Sequence, residues 1–232
     1  MSRITIAIDG FSSTGKSTIA KQLAKHLGYV YVDSGAMYRA VTYFAMQYGF
    51  ISNNHFDING LISKLSDVNI NFKFNETLGF AEVYLNGINI EKEIRTLEVS
   101  GYVSRVAAVP QVRAQMVRQQ KKLGAQKGVV MDGRDIGTVV FPNAELKLFM
   151  TASAKTRALR RYNELLERGD AVTYEAVLKN VEERDFIDSN RKDSPLVKAV
   201  GAIEIDNSNL SIDEQFDKIL SLYNKVVSNN SH

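Results

Sequence analysis

Apolar residues fall along the chain in two rhythms. Residues 3–8 (RITIAI), 29–32 (YVYV), 129–131 (VVM), 146–150 (LKLFM) and 202–205 (AIEI) form short, largely continuous apolar runs rich in β-branched side chains. Strands covered on both faces read this way, so these five predict a parallel sheet. Between them, residues 17–27, 110–122, 154–168 and 212–227 carry apolar side chains at three- and four-residue spacing, the mark of helices with one buried face. Alternation of the two patterns predicts an α/β fold, a doubly wound core around a five-stranded parallel sheet.

The rhythm breaks between the second and third runs. Residues 59–66 look helical. Residues 69–74 (NINFKF) and 81–85 (AEVYL) then alternate polar and apolar as half-exposed antiparallel strands do, with turn residues at 75–79 and 86–87. Residues 36–109 therefore read as an inserted domain with its own small antiparallel sheet, mounted on a core built from residues 1–35 and 110–232. The tail, residues 228–232, is expected to fray.

Composition narrows the classes. Of 232 residues, 44% are hydrophobic and 24% charged, values of a globular rather than a disordered chain. Three prolines and no cysteine exclude collagen, a disulfide framework and a cysteine-ligated metal. No run of about 18 apolar residues predicts a membrane span, and the N-terminal MSRITIAIDG has no signal-peptide pattern. A net charge of +3 is too mild for a nucleic-acid binder. The expectation is a cytoplasmic, monomeric protein with neither a membrane nor a nucleic-acid partner.

The chemistry begins at Gly10-Phe11-Ser12-Ser13-Thr14-Gly15-Lys16-Ser17, which fits G-x-x-x-x-G-K-[ST] between a predicted strand and a predicted helix. In such a P-loop the glycines let the backbone curl so that successive N–H groups face phosphate oxygens, and the helix N-terminus adds its positive end. Lys16 supplies a mobile charge for the β- and γ-phosphates, and the Ser17 hydroxyl suits Mg²⁺. Asp132, closing the strand VVMD, has the arrangement of a Walker B aspartate near the metal, acting through water; a strand-end Asp also serves as a cap or turn former. Asp33 is either a supporting partner or the N-cap of the next helix.

A phosphate cradle does not say what becomes of the phosphate. The arginines bear on that. Transfer between two phosphates crowds negative oxygens, which guanidinium groups neutralise. Arg39 lies in a loop-to-helix segment, Arg134 follows the third strand, and Arg157, Arg160 and Arg161 share a helical face. Arg184, Asp188 and Arg191 fall on one further face if their helix continues. Acidic and basic residues nearly balance between 153 and 192, so a solvated charged face stands as the other reading.

Four segments together resemble a known family. GFSSTGKST at 10–18, DSGAMYR at 33–39, DGRDIGTVVFP at 132–142 and RDFIDSNR at 184–191 are similar to the motifs of bacterial cytidylate kinases, over nearly the whole length. The resemblance implies transfer of the ATP γ-phosphate to CMP or dCMP on a P-loop core with a monophosphate-binding insertion, residues 36–109, and a lid at about 155–170. It implies that Gly10–Gly15, Lys16, Ser17, Thr18 and Arg160 bind ATP, with Mg²⁺ on Ser17. Ser104, Arg113 and Asp135 would contact cytosine. Ser34 and Arg39 would lie in the acceptor site, with Arg39, Arg134 and Arg191 on the acceptor phosphate. Arg184 and Asp188 would address the sugar. Lys16, Arg134, Arg157, Arg161 and Arg191 would carry catalysis, the lid arginines closing on ATP. Without the family, Ser104 and Arg113 are ordinary polar helix residues.

Cytosine offers a donor at N4 and acceptors at N3 and O2, which a carboxylate and an arginine complement. Uracil reverses positions 3 and 4 and would leave both groups mispaired. Phe11-Ser12-Ser13-Thr14 departs from the Pro-Ser-Gly-Ala common in the family, although these positions present mainly backbone N–H groups. Two rivals remain at this stage: a P-loop switch that hydrolyses its nucleotide, and a kinase of the same fold with another acceptor such as UMP.

Overall fold

In the computed structural model, which describes residues 3–77 and 79–229, the chain forms two units. One comprises the residues up to Asp33 together with those from Gln120 onward, and the other is Ser34–Gln119. The first unit opens with β1 (Thr5–Gly10), α1 (Lys16–Leu27) and β2 (Val30–Asp33). The second holds α2 (Ser34–Gln47), the two-residue strands β3 (Ile51–Ser52) and β4 (His55–Phe56), and α3 (Ile58–Ser63). It continues through β5 (Ile70–Asn75), β6 (Phe80–Leu85), β7 (Ile88–Asn89) and α4 (Leu97–Ala107) to most of α5 (Pro110–Leu123). The first unit resumes with β8 (Val129–Gly133), a π-helical turn at Ile136–Val140, β9 (Leu146–Thr151), α6 (Ala154–Glu167), α7 (Tyr174–Asn190), β10 (Ile203–Asp206) and α8 (Ile212–Asn229).

The five core strands form one sheet in the order β10-β9-β1-β8-β2, every pair parallel. β1 is central and buried along its whole length, as its unbroken apolar run requires. Ile6, Ile8, Val130, Leu146, Leu148 and Met150 meet Ile19 and Leu23 of α1 and Ile219, Tyr223 and Val227 of α8. The connection leaving β1 passes over β8 to reach β2, whereas the connection from β8 crosses to the other side of β1. The strand order therefore reverses at β1, and the carboxyl end of that strand is where such sheets bind ligands.

Pairing with β9 carries β1 past Ile8 to Gly10, opposite Met150. Only glycine fits there: φ is 146°, and a Cβ would lie 2.1 Å from the Met150 carbonyl oxygen.

In the second unit Met37, Val41, Phe44, Leu61, Val83, Ile94, Val106 and Met116 form a separate core. The antiparallel sheet β5-β6-β7 lies over it, pairing Ile70 with Leu85 and Phe74 with Ala81. Ile70 and Val83 are buried while Asn71 and Lys73, on the opposite face of β5, are exposed, as alternation demands.

Several boundaries differ from the sequence reading. α2 starts directly after β2, so Arg39 lies inside a helix. The pattern at 59–66 divides into α3 and a 3₁₀ turn, Leu65–Asp67. Helix α7 ends at Asn190 and leaves Arg191 extended, with ψ 144°. Ser228 and Asn229 complete α8 instead of fraying, because Val227 is still buried against the core; residues 230–232 lie outside the described residues, as does Leu78 within the turn at 75–79.

Candidate active site

The segment from Gly10 to Lys16 curls because Ser13 (φ 58°) and Gly15 (φ 84°) both take left-handed backbone. Helix α1 has no side-chain cap at its start, so its first N–H groups serve the loop rather than a capping residue. Thr14 Oγ1 donates to Phe11 O at 3.0 Å. Lys16 Nζ donates to Phe11 O and to Thr14 Oγ1. Buried Asn207 donates to Thr14 O at 2.6 Å and to Gln215 Oε1 at 2.7 Å, anchoring the loop to α8. Burial holds the Lys16 ammonium well below its usual pKa, and Arg134 adds to the effect. Thr18, one turn into α1, is exposed.

Ser17 Oγ donates to Asp132 Oδ2 at 2.9 Å, and Tyr31 Oη donates to Asp132 Oδ1 at 2.8 Å. Asp33 is the register partner of Asp132 across β2 and β8. Burial pushes the Asp132 carboxyl up to about 6, with the charge of Asp33 the next cause. Lys16 opposes this. The hydroxyl–carboxylate pair is a hard oxygen donor set of the kind Mg²⁺ takes.

Past β8, Arg134 Nε donates to Asp188 Oδ2 at 2.9 Å. Arg191 lies 3.8 Å from Asp188 and 3.9 Å from Asp135. Burial pulls the Arg184 guanidinium down to about 10, with Arg134 the second cause, so it stays charged at neutral pH. Arg184, Arg191, Asp135 and Asp188, all buried, thus form one group with the half-buried Arg134, although Arg191 reaches it from beyond the helix.

The three arginines of α6 separate. Arg157 is buried and donates to Ser12 O at 3.1 Å, to Ala152 O at 2.9 Å and to both oxygens of Asp185. Its guanidinium lies 5.1 Å from the centre of the Phe11 ring. Arg160 turns to Asn207, bonding its Oδ1 and its carbonyl. Arg161 is buried and pairs with Glu164 of its own helix.

The second unit carries the other predicted residues. Ser34 and Ser104 are buried, and Arg39 donates to Ile94 O at 3.2 Å. Arg113, 2% exposed, donates to Ala107 O and sits 5.5 Å from the Tyr38 ring centre.

A family model described as Cytidylate kinase matches residues 6–225. The chain belongs to the cytidylate kinase family. Relatives bearing that name include one from Flavobacterium johnsoniae, 66% identical over 98% of this chain and 99% of its own length. Another, from Flavobacterium psychrophilum, is 64% identical over 97% of this chain and 100% of its own. Among solved structures, an uncharacterised protein from Eubacterium ventriosum aligns at 13% identity with a TM-score of 0.50, covering 97% of this chain and 99% of that one, a likeness of fold alone.

Four residues of this family member were given no role by the sequence reading: Asp9, Tyr31, Asn207 and, though it lies within RDFIDSNR, Asp185. Asp9 alone left a signal, a carboxylate closing an otherwise apolar run (IAIDG). Tyr31 reads as one more apolar position of YVYV, and Asp185 and Asn207 as ordinary polar residues. Among the described residues, no helix is long and apolar enough to cross a membrane.

Proposed function

We propose that the chain transfers the γ-phosphate of ATP to CMP or dCMP, giving ADP and CDP or dCDP. The observation that carries this reading is the group Arg134, Asp135, Arg184, Asp188 and Arg191, all but the half-buried Arg134 buried, in the same unit as the phosphate loop and in a chain of the cytidylate kinase family. A hydrolytic switch has no use for a second set of buried guanidinium groups. An alcohol acceptor would require a base near its hydroxyl, whereas a phosphate oxygen is already ionised, so catalysis rests on position and charge.

In this reading the backbone of Gly10–Gly15, with Lys16, Ser17, Thr18 and Arg160, holds ATP. Ser17 and Asp132 would hold Mg²⁺, directly and through water, and the ion neutralises phosphate charge when bound. Ser34, Arg39, Ser104 and Arg113 of the second unit bind the acceptor, as do Arg134, Asp135, Arg184, Asp188 and Arg191 of the first. Ser104, Arg113 and Asp135 read cytosine; Arg39, Arg134 and Arg191 hold the acceptor phosphate. Residues 155–170 act as the lid, bringing Arg157 and Arg161 to the transferring group and excluding water. The acting species is taken to be a cytoplasmic monomer, which sedimentation with and without nucleotides tests.

A coupled ADP-release assay with Mg-ATP and, separately, CMP, dCMP, UMP, AMP or no acceptor tests the reaction. ADP is expected with CMP and dCMP alone. Equal release without acceptor would replace transfer by hydrolysis, and Lys16→Ala is expected to abolish turnover.

A further inference from the structure

The end of β1 holds a buried carboxylate that the reaction above does not use. Asp9 is 2% exposed. Its Oδ1 accepts from Ile136 N at 2.8 Å and its Oδ2 from Gly137 N at 2.7 Å. These are the first two N–H groups of the π turn Ile136–Val140, and a helical turn leaves its opening N–H groups without acceptors of its own. The residue before the turn is Asp135, which offers no side-chain cap. Its carbonyl instead closes the turn, accepting from Val139 N and Val140 N at 2.9 and 3.2 Å. Asp135 and, beside it, Arg134 are therefore fixed from two directions. β8 holds them on one side, and on the other stands a turn gripped by a strand that passed more than a hundred residues earlier in the chain.

The neighbourhood is shaped to that grip. At Gly137 a Cβ would lie 3.3 Å from Asp9 Oδ2, from Ala199 Cβ and from Lys147 Cδ, so a side chain there would press the carboxylate away from the Gly137 N–H by a few tenths of an ångström. An amide in place of the carboxylate would turn an NH₂ group toward one of the two N–H donors. Two backbone donors oppose the burial that pushes Asp9 up to about 6, where Asp135 also raises it and Lys16 lowers it; at neutral pH the ionised form, able to accept both bonds, prevails.

We propose that Asp9 is a positioning residue for the acceptor. Its carboxylate clamps the π turn and so sets Arg134 and Asp135 at the angle that the acceptor phosphate and base require. This deepens the cytidylate kinase reading and rests on it for the identity of the acceptor, while the clamp itself is measurable without turnover.

Asp9→Asn and Gly137→Ala, each checked for folding by melting temperature, are compared with the unaltered chain in two experiments. In the coupled assay, both variants are expected to lose about 10- to 100-fold in kcat/KM for CMP and part of the preference for CMP over UMP, with KM for ATP changed less than about threefold. A purely structural role would lower all substrates alike, and unchanged CMP-to-UMP selectivity overturns the proposal. In amide hydrogen exchange, Ile136 and Gly137 N–H are expected to exchange faster in Asp9→Asn. Protection equal to that of the unaltered chain overturns the clamp whatever the acceptor. If the unaltered chain itself does not phosphorylate CMP, the functional reading fails and the exchange result alone judges the clamp.

Discussion

Phe11 occupies a loop position that the family commonly fills with proline, and the structure gives it work to do. Its ring meets Phe149 edge-on, centres 6.1 Å apart at 77°, and its face lies under the buried guanidinium of Arg157 at 5.1 Å. Phe11→Leu keeps apolar bulk and removes the ring. A cation over a desolvated ring is worth up to about 2 kcal/mol and an edge-on aromatic pair about 0.5–1.5 kcal/mol. Arg157 retains Asp185 and the Ser12 carbonyl, and Phe11 is only half-buried, so the lower part of that range applies. A loss of about 1–2 kcal/mol is expected, which corresponds to about 5- to 30-fold in kcat if Arg157 acts on the transferring phosphate. The measurement is kcat at saturating ATP and CMP for Phe11→Leu, Phe11→Tyr, Arg157→Ala and the double variant Phe11→Leu/Arg157→Ala. Phe11→Tyr should stay near the original value, and Phe11→Leu should have no further effect once Arg157 is gone. A folded Phe11→Leu variant with kcat within about twofold of the original would refute the reasoning and reduce Phe11 to a space filler.

Three further outcomes follow from the same geometry. Asp132 should titrate near 6 in a ¹³C-NMR titration of its carboxyl, since burial is the largest cause of its shift. A folded value above the unfolded 3.8 means that the folded chain takes up a proton as pH falls through that window, so acidification to about pH 5 does not destabilise the fold through this group. It does remove the charged oxygen proposed for Mg²⁺, so protons and Mg²⁺ compete for this carboxyl and added Mg²⁺ should lower the midpoint; a metal-free midpoint near 3.8 would contradict the shift. Ser13→Gly should raise stability by about 0.5 kcal/mol, the balance of a left-handed penalty of about 1–2 kcal/mol against added unfolded-chain entropy of about 0.4–1 kcal/mol. Urea denaturation reads it, and a clear loss of stability would show that the serine side chain holds the loop. Asn207→Ala strands buried acceptors at Thr14 O and Gln215 Oε1, at about 2–6 kcal/mol in all. Denaturation should show that loss and kinetics a severalfold higher KM for ATP, and no change in either would remove Asn207 from the loop's support.

What the sequence made legible was what local spacing encodes. The central strands β1 and β8, buried on both faces, announced themselves as apolar runs, as did the partly exposed edge strands β2 and β10, and the alternation of NINFKF and AEVYL marked the small sheet of the second unit. The phosphate loop is a local object too, a strand, a curl and a helix start within fourteen residues. Side chains whose partners are remote were illegible for a physical reason: nothing near Asn207 in the chain hints at Thr14, 193 residues away, and nothing near Asp9 hints at Ile136, 127 away. Arg191 shows the converse. Helical spacing put it on the face of Asp188, the helix stopped one residue short, and the ion pair formed from an extended backbone.

The loop's departures from the family pattern also read differently in three dimensions. A loop that presents only backbone N–H groups should tolerate many side chains, and by that reasoning Phe-Ser-Ser-Thr is a neutral exchange for Pro-Ser-Gly-Ala. Proline restrains a backbone through its ring and glycine frees one for left-handed turns. This chain gives up both, placing Ser13 at φ 58°. It has restraints of another kind in the same segment. Phe11 is held against Phe149, and the Thr14 hydroxyl, which alanine lacks, donates to Phe11 O while accepting from Lys16. Side-chain contacts thus hold the curl where the family's common pattern relies on backbone stiffness and freedom. Phe11 and Thr14 should therefore tolerate reversion toward the common pattern together better than either alone. Phe11→Pro/Thr14→Ala exceeding the sum of its single variants in stability would bear this out, and simple additivity would show that the two residues restrain the loop independently.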